Sequence, residues 1–407
     1  MNFIASEEIF YRSQDAKTQF CNTPAILQLP ENRLLAMFDL AGHEVEKIPE
    51  NNDGSPQGHY SNFDKVFISD DNGKSWRQTG EFPLMHSRAF VAGKRIYILG
   101  HNGYLGIVVS DDNGESWSPI SALDTERHWH QSSCAVDFRH GKVYLTMEIR
   151  RTTTWPDYGI VLMSAKCGDD LTRVENWNFS EPLHLPDCVG ENPLPNGVPF
   201  LPFGNLTPGR YCGHPGWLES HVLRIYDPAH QLYDPEDRTV IILARCHTGL
   251  PNIAAVLKGV EQPDGSLKLE TITSPGGAPF IYTYIPGGHM KFFVLYDEKS
   301  KLYWMASTQA TDSMIRPELL PDDRFGIPDN ERHRLALYFS RNLFDWCFAG
   351  MVAMGKTPRC ARHYTSMTIS GEDLLILSRS GDENAYSAHN GNLLTLHRVK
   401  SFRDLVY

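Results

Sequence analysis

One octapeptide occurs twice, as Ser69-Asp70-Asp71-Asn72-Gly73-Lys74-Ser75-Trp76 and as Ser110-Asp111-Asp112-Asn113-Gly114-Glu115-Ser116-Trp117. Each copy follows an alternating or β-branched run, Asp64-Lys65-Val66-Phe67-Ile68 and Leu105-Gly106-Ile107-Val108-Val109. Asp-Asn-Gly after such a run signals a hairpin, because Asn and Gly tolerate the positive φ of a tight turn. The Ser hydroxyl and the second Asp carboxylate can bond the turn's own amides, and the closing Trp can pack beneath the sheet. A turn so committed to its own backbone is structural rather than catalytic. A chain that repeats it is building one small sheet again and again.

A second repeat lies upstream of each octapeptide: an apolar strand, a short turn, and another strand ending in a polar residue. It is clearest in Ala25–Asp39 and Ala89–Gly100, and recurs at 131–148, 219–245, 290–308 and 364–379. Fainter relatives of the turn stand at Ser340-Arg341-Asn342-Leu343-Phe344-Asp345-Trp346 and at Asp170-Leu171 before Trp177. The expected fold is all-β, a six-bladed β-propeller of four-stranded antiparallel blades at 20–80, 83–122, 128–184, 214–275, 287–350 and 362–401. A strand near Ile9–Ser13 is expected to complete the last blade, making residues 1–407 one domain. Seven blades is the alternative, but Pro193, Pro195, Pro199, Pro202 and Pro208 break up the 185–213 segment where another would lie.

The formal net charge of −11 and the lack of a Lys/Arg run argue against nucleic acid as a partner. No apolar stretch reaches the ~20 residues of a membrane span. The first ten residues lack the layout of a signal peptide, so the chain as written is expected in the cytoplasm, with an exported mature form left open. Eight cysteines without a CxxC pair give no zinc or redox motif. No cofactor or metal is expected.

In a propeller the innermost strands all start at one face of the central channel, so residues distant in sequence converge there. Read in order, those starts hold Asn22 to Thr23, His86 to Arg88, His128 to His130, Trp217 to Glu219, His289 to Lys291, and Arg362 to Tyr364. A lone His at a strand end is usually structural. Several ionisable groups at equivalent starts are not explained that way, because each is costly to bury.

The octapeptides resemble the Asp box of sialidases and related propellers, S-x-D-x-G-x-T-W, with Ser in place of Thr. The resemblance implies a carbohydrate-active enzyme acting on an acidic oligosaccharide or polysaccharide, most directly an exo-acting glycoside hydrolase. Glu219, which starts an inner strand, and Arg245, which ends its partner, resemble the sialidase base Glu and substrate-carboxylate Arg; Tyr364 resembles the tyrosine nucleophile. From the strand-start set, Arg88, Lys291, His289, Arg362 and Trp217 are expected to bind substrate, and the aromatic residues Trp129, Trp155, Trp217 and Tyr284 to stack on sugar faces or to pack in the core. Two departures argue against sialic acid itself. Gln19-Phe20-Cys21-Asn22-Thr23-Pro24 stands where sialidases carry Phe/Tyr-Arg-Ile-Pro, and the acid/base Asp has no clear counterpart, although Asp39, His43, Asp53 and His59 lie in or beside its loop. His43 or Asp39 is the expected acid. Related propellers include lyases that cleave beside a uronate, and there His86, His130 and Tyr364 would lead. A non-catalytic glycan-binding propeller is the remaining alternative.

Overall fold

The computed structural model describes all residues except 1, 43–44, 46–61, 153–156, 190–203, 208–209, 213–215, 249, 275, 316–318 and 320–330. Its core follows from the strand period. Leu34, Leu35, Ala36, Met37 and Phe38 are all fully buried. Successive side chains on a strand point to opposite faces. Leu34, Ala36 and Phe38 accordingly pack with Leu375, Leu377 and Leu394, while Leu35 and Met37 pack with Ile96, Ile98 and Val108. A strand apolar on both faces lies in a sheet covered on both sides, which is the condition of every blade in a ring.

Six antiparallel sheets make that ring. Blade one pairs Phe20–Cys21 and Ala25–Gln28 with Leu34–Ala41, then adds Asn62–Ser69 and Arg77–Phe82; blade two runs Met85–Ala92, Arg95–His101, Leu105–Ser110, Ser121–Asp124. Blade three is built on Lys142–Arg150 and Tyr158–Lys166, with Trp129–His130 and Asp137–Arg139 inside and Trp177–Phe179 outside. Blade four holds Gly216–Leu223, Thr239–His247, Ile253–Glu261 and Leu267–Glu270; blade five holds Phe293–Asp297, Leu302–Thr308, Arg334–Ser340 and Cys347–Met354. Blade six holds Arg362–Ser370, Asp373–Ser380 and Leu393–Val399, and its outer strand is the N-terminal Ser6–Arg12, with Ser6 opposite Arg398 and Arg12 opposite Leu393. The described residues of the 185–213 segment add no blade to these six. They form a short helix, Leu185–Val189, and a hairpin of Gly204–Thr207 with Arg210–Cys212.

The octapeptide turns are built as their chemistry demands. Ser69 Oγ accepts the Gly73 N–H at 2.8 Å and donates to Asp71, whose carboxylate takes the Ser75 N–H at 2.8 Å; the second copy repeats this at Ser110, Asp112 and Ser116. Asn72, Gly73, Asn113 and Gly114 all have positive φ. Trp76 packs edge-on against Phe10 of the closing strand. At Ser340 the side chain of Asn342 does the work of Asp, accepting the Phe344 and Asp345 amides. No helix is long and apolar enough to cross a membrane among the described residues.

Candidate active site

Three inner strands open on the same irregularity. His86, Glu219 and Tyr364 have φ of 54°, 57° and 51°, and at each the pairing slips, between Met85 and Arg88, Leu218 and His221, and His363 and Ser366. A left-handed conformation in a non-glycine residue costs on the order of 1–3 kcal/mol and concentrates at functional sites. A bulge also re-aims the side chain that it carries. Here, in alternate blades two, four and six, it sends His86, Glu219 and Tyr364 into one cavity of about 340 Å³ at the channel mouth.

On the side of blades four to six, the Tyr364 hydroxyl donates to Glu219 Oε1 at 2.6 Å and accepts from Arg245 Nη1 at 2.7 Å. Arg245 also reaches Glu219 Oε2 at 3.0 Å. Burial alone would raise the Glu219 pKa, but the Arg245 charge and the Tyr364 hydrogen bond outweigh it and bring it down to about 2. Burial pushes Tyr364 up to about 12. The pair is therefore a carboxylate beside a neutral phenol. Arg379 lies over the Tyr364 ring at 4.1 Å, Arg332 at 5.7 Å and Arg245 at 5.9 Å. All three guanidiniums line the cavity, and among the described residues Glu219 is its only carboxylate. The described lining therefore carries an excess of positive charge.

On the side of blades one to three, the buried Asp39 accepts the Thr23 N–H at 2.9 Å and the Asn22 amide at 3.0 Å, and is also bonded by Asn62. Asn22 donates onward to His86 Nε2 at 3.1 Å, and His86 Nδ1 donates to the Gln131 carbonyl at 3.0 Å. Both ring nitrogens of His86 are thus engaged, and burial lowers its pKa. His130 donates through Nδ1 to Glu148 Oε2 at 2.7 Å and stacks on Tyr158 at 4.4 Å.

Of the residues expected from sequence, Glu219, Tyr364, Arg245, His86 and His130 meet in this cavity. His289 stands one step behind: its carbonyl accepts Arg245 Nε at 2.7 Å while its buried ring bonds the Pro251 carbonyl. Lys291 is buried outside the lining, donating to the Thr365 carbonyl, and burial lowers it to about 8. Three expected substrate contacts are displaced for one reason. Arg88, Trp217 and Arg362 each lie two residues from a bulge residue, and in a regular strand that offset would put each pair on one face. The bulge breaks the parity. Arg88 turns to the Thr146 and Ser132 carbonyls of blade three, Trp217 is fully buried in the core with Tyr144 and Ile160, and Arg362 clasps Glu7 at 2.7 and 2.8 Å. Asp39 is a fully buried acceptor that holds Asn22 in place. Trp129 is core and Tyr284 is exposed. His43, Asp53, His59 and Trp155 lie outside the described residues.

Sequence reading missed Arg332, Arg379 and His389, which also line the cavity. A signal for Arg379 was present: Ile376-Leu377-Ser378-Arg379 ends the second strand of blade six as Ile242-Leu243-Ala244-Arg245 ends that of blade four. The Arg absent from blade one thus has a counterpart in charge from blade six, where Arg379 reaches back toward Thr23 Oγ1 at 3.5 Å.

Residues 67–78 and 108–119 match the BNR/Asp-box repeat family model. No curated protein matches the sequence. Among solved structures the chain is similar to Trypanosoma rangeli sialidase, at 14% identity and a TM-score of 0.58 over 100% of this chain and 61% of that one. It spans, therefore, little more than three-fifths of that protein. It is also similar to a Penicillium chrysogenum α-L-arabinanase complexed with arabinobiose (10% identity, TM-score 0.54, 99% of each chain) and to the GH93 α-L-arabinofuranosidase of Fusarium graminearum (11%, 0.53, 98% of each). The chain has a six-bladed propeller fold carrying two Asp-box repeats, and that fold is similar to the fold of these sialidase, arabinanase and arabinofuranosidase structures.

Proposed function

We propose that this protein is an exo-acting, sialidase-like glycoside hydrolase that removes a terminal acidic sugar with Tyr364 as nucleophile. The observation that carries the reading is the Tyr364 hydroxyl held between Glu219 and Arg245 beneath three guanidiniums. A sugar carboxylate on Arg245, Arg332 and Arg379 would bring the anomeric carbon to the phenol oxygen. As the C–O bond to the sugar forms, the phenol becomes strongly acidic and its proton passes to Glu219, an ionised acceptor already 2.6 Å away. A tyrosine suits an anionic substrate because the neutral nucleophile does not repel the sugar carboxylate; sialidases are the known exceptions to carboxylate nucleophiles. A cavity of about 340 Å³ is at the small end of ligand sites and favours a chain end over a chain interior.

The test is incubation with oligosaccharides ending in acidic units, read by sugar analysis and by ultraviolet absorbance at the unsaturated-uronate band. Release of a saturated acidic monosaccharide supports the reading. Rising absorbance replaces it with β-elimination led by His86, His130 and Tyr364, and binding without any product replaces it with a glycan-binding propeller.

A further inference from the structure

We infer that His130, oriented by the buried Glu148, is the proton donor to the departing sugar oxygen; this rests on the hydrolase reading above. In a ring of six, blade three faces blade six across the channel, so His130 enters the cavity from the side opposite Tyr364. That is where a donor must stand, because the leaving oxygen departs from the face opposite the attacking nucleophile.

The ring's orientation follows from its contacts. Nδ1–H is fixed on Glu148 Oε2 at 2.7 Å and the ring plane on Tyr158 at 4.4 Å, which leaves Nε2 as the nitrogen to meet a ligand in the cavity that His130 lines. His86 has no such nitrogen to offer, since Asn22 occupies Nε2 and Gln131 occupies Nδ1. His389 sits on an exposed loop with Nδ1 bonded to Asn390 at 2.7 Å. A buried carboxylate behind a His fixes the tautomer and stabilises the imidazolium, the relation found in His–carboxylate pairs of hydrolases. Glu148 does one thing more. Its other oxygen accepts the Ser220 N–H at 3.2 Å, the amide just after Glu219, so a single carboxylate sets both the donor and the bulge that carries the base.

The ionisable groups that face His130 are Glu148 and Tyr158 of its own blade, His86 and His101 of blade two, and Glu219 of blade four. In the first step the Nε2–H proton moves to the glycosidic oxygen, which keeps the electron pair of the breaking C–O bond, while Tyr364 Oη bonds the anomeric carbon and gives its proton to Glu219. In the second, water attacks that carbon and gives a proton to Nε2. The Tyr364–carbon bond breaks, and the phenolate recovers its proton from Glu219. One water is consumed and every group is restored.

The experiment compares wild type, His130→Asn and Glu148→Gln on two glycosides of the same acidic sugar, one with a sugar leaving group and one with 4-nitrophenolate, which leaves without protonation. The expected kcat/KM loss for His130→Asn is about 100- to 10,000-fold on the first substrate and under about 10-fold on the second. Glu148→Gln should show the same leaving-group dependence in smaller measure. Equal losses on both substrates, or none on either, with circular dichroism unchanged, overturn the assignment. Wild type inactive on both substrates overturns the hydrolase reading and this inference with it, whereas an active wild type with leaving-group-independent variants sinks the inference alone.

Discussion

Replacing Glu219 with Gln keeps the shape of the side chain and removes only its charge. Arg245 and Tyr364, both buried, then share one amide oxygen where they had two carboxylate oxygens, and one of the donors faces an amide N–H₂. The fall of the Glu219 pKa from an ordinary 4.5 to about 2 sets the size of the effect. At about 1.4 kcal/mol per pH unit this corresponds to about 3 kcal/mol of folding stability. Breaking a buried ion pair by removing one partner independently suggests about 3–5 kcal/mol. The sign follows from the direction of the shift. A carboxylate whose folded pKa is depressed contributes fully above its unfolded pKa, and the contribution disappears as pH falls through the folded value. Urea denaturation should therefore show the variant less stable by about 3 kcal/mol at pH 7, with the gap to wild type closing between pH 4.5 and about 2. A gap that stays constant across that interval, or no gap at pH 7, would refute the ion-pair argument.

Arg379→Met should weaken discrimination between a carboxylate-bearing substrate and its neutral amide by roughly 30- to 100-fold, the worth of one charge-assisted contact, measured as a ratio of kcat/KM values. Ser69→Ala removes the buried acceptor of the Gly73 amide and should cost about 1–2 kcal/mol in denaturation while leaving the pH–rate profile unchanged, since the turn lies away from the cavity. Arg362→Met releases the clasp on Glu7. Amide exchange should accelerate across Ser6–Arg12 and its partner Leu393–Val399, with little change at Tyr364; protection persisting in Ser6–Arg12 would show that its backbone ladder alone holds the ring closed.

The ring was legible in the sequence because its determinants are local. Ser69, Asp71, Gly73 and Ser75 bond one another within seven residues, and an apolar run such as Leu34–Phe38 announces a strand covered on both faces. The convergence of Glu219, Tyr364, His86 and His130 was legible through topology, which carries equivalent strand starts to one face. Parity within those starts was not. Trp217 and Glu219, or Arg362 and Tyr364, separate only because a positive-φ residue interrupts the alternation, and no residue type announces it when that residue is Glu or Tyr rather than Gly. Arg332 and Arg379 were hidden differently, since they arrive from elsewhere in blades five and six rather than from the strand starts that the argument followed.

The central claim is that Tyr364 forms the covalent link to the sugar. It is tested most directly by treating the protein with activated fluorinated glycosides of acidic sugars, which slow release of the intermediate, and locating the adduct by peptide mass spectrometry. The account predicts a single sugar adduct on the peptide containing Tyr364, absent in Tyr364→Phe and formed slowly in Glu219→Gln. An adduct on any other residue, or steady turnover of the same compounds by Tyr364→Phe, would contradict it.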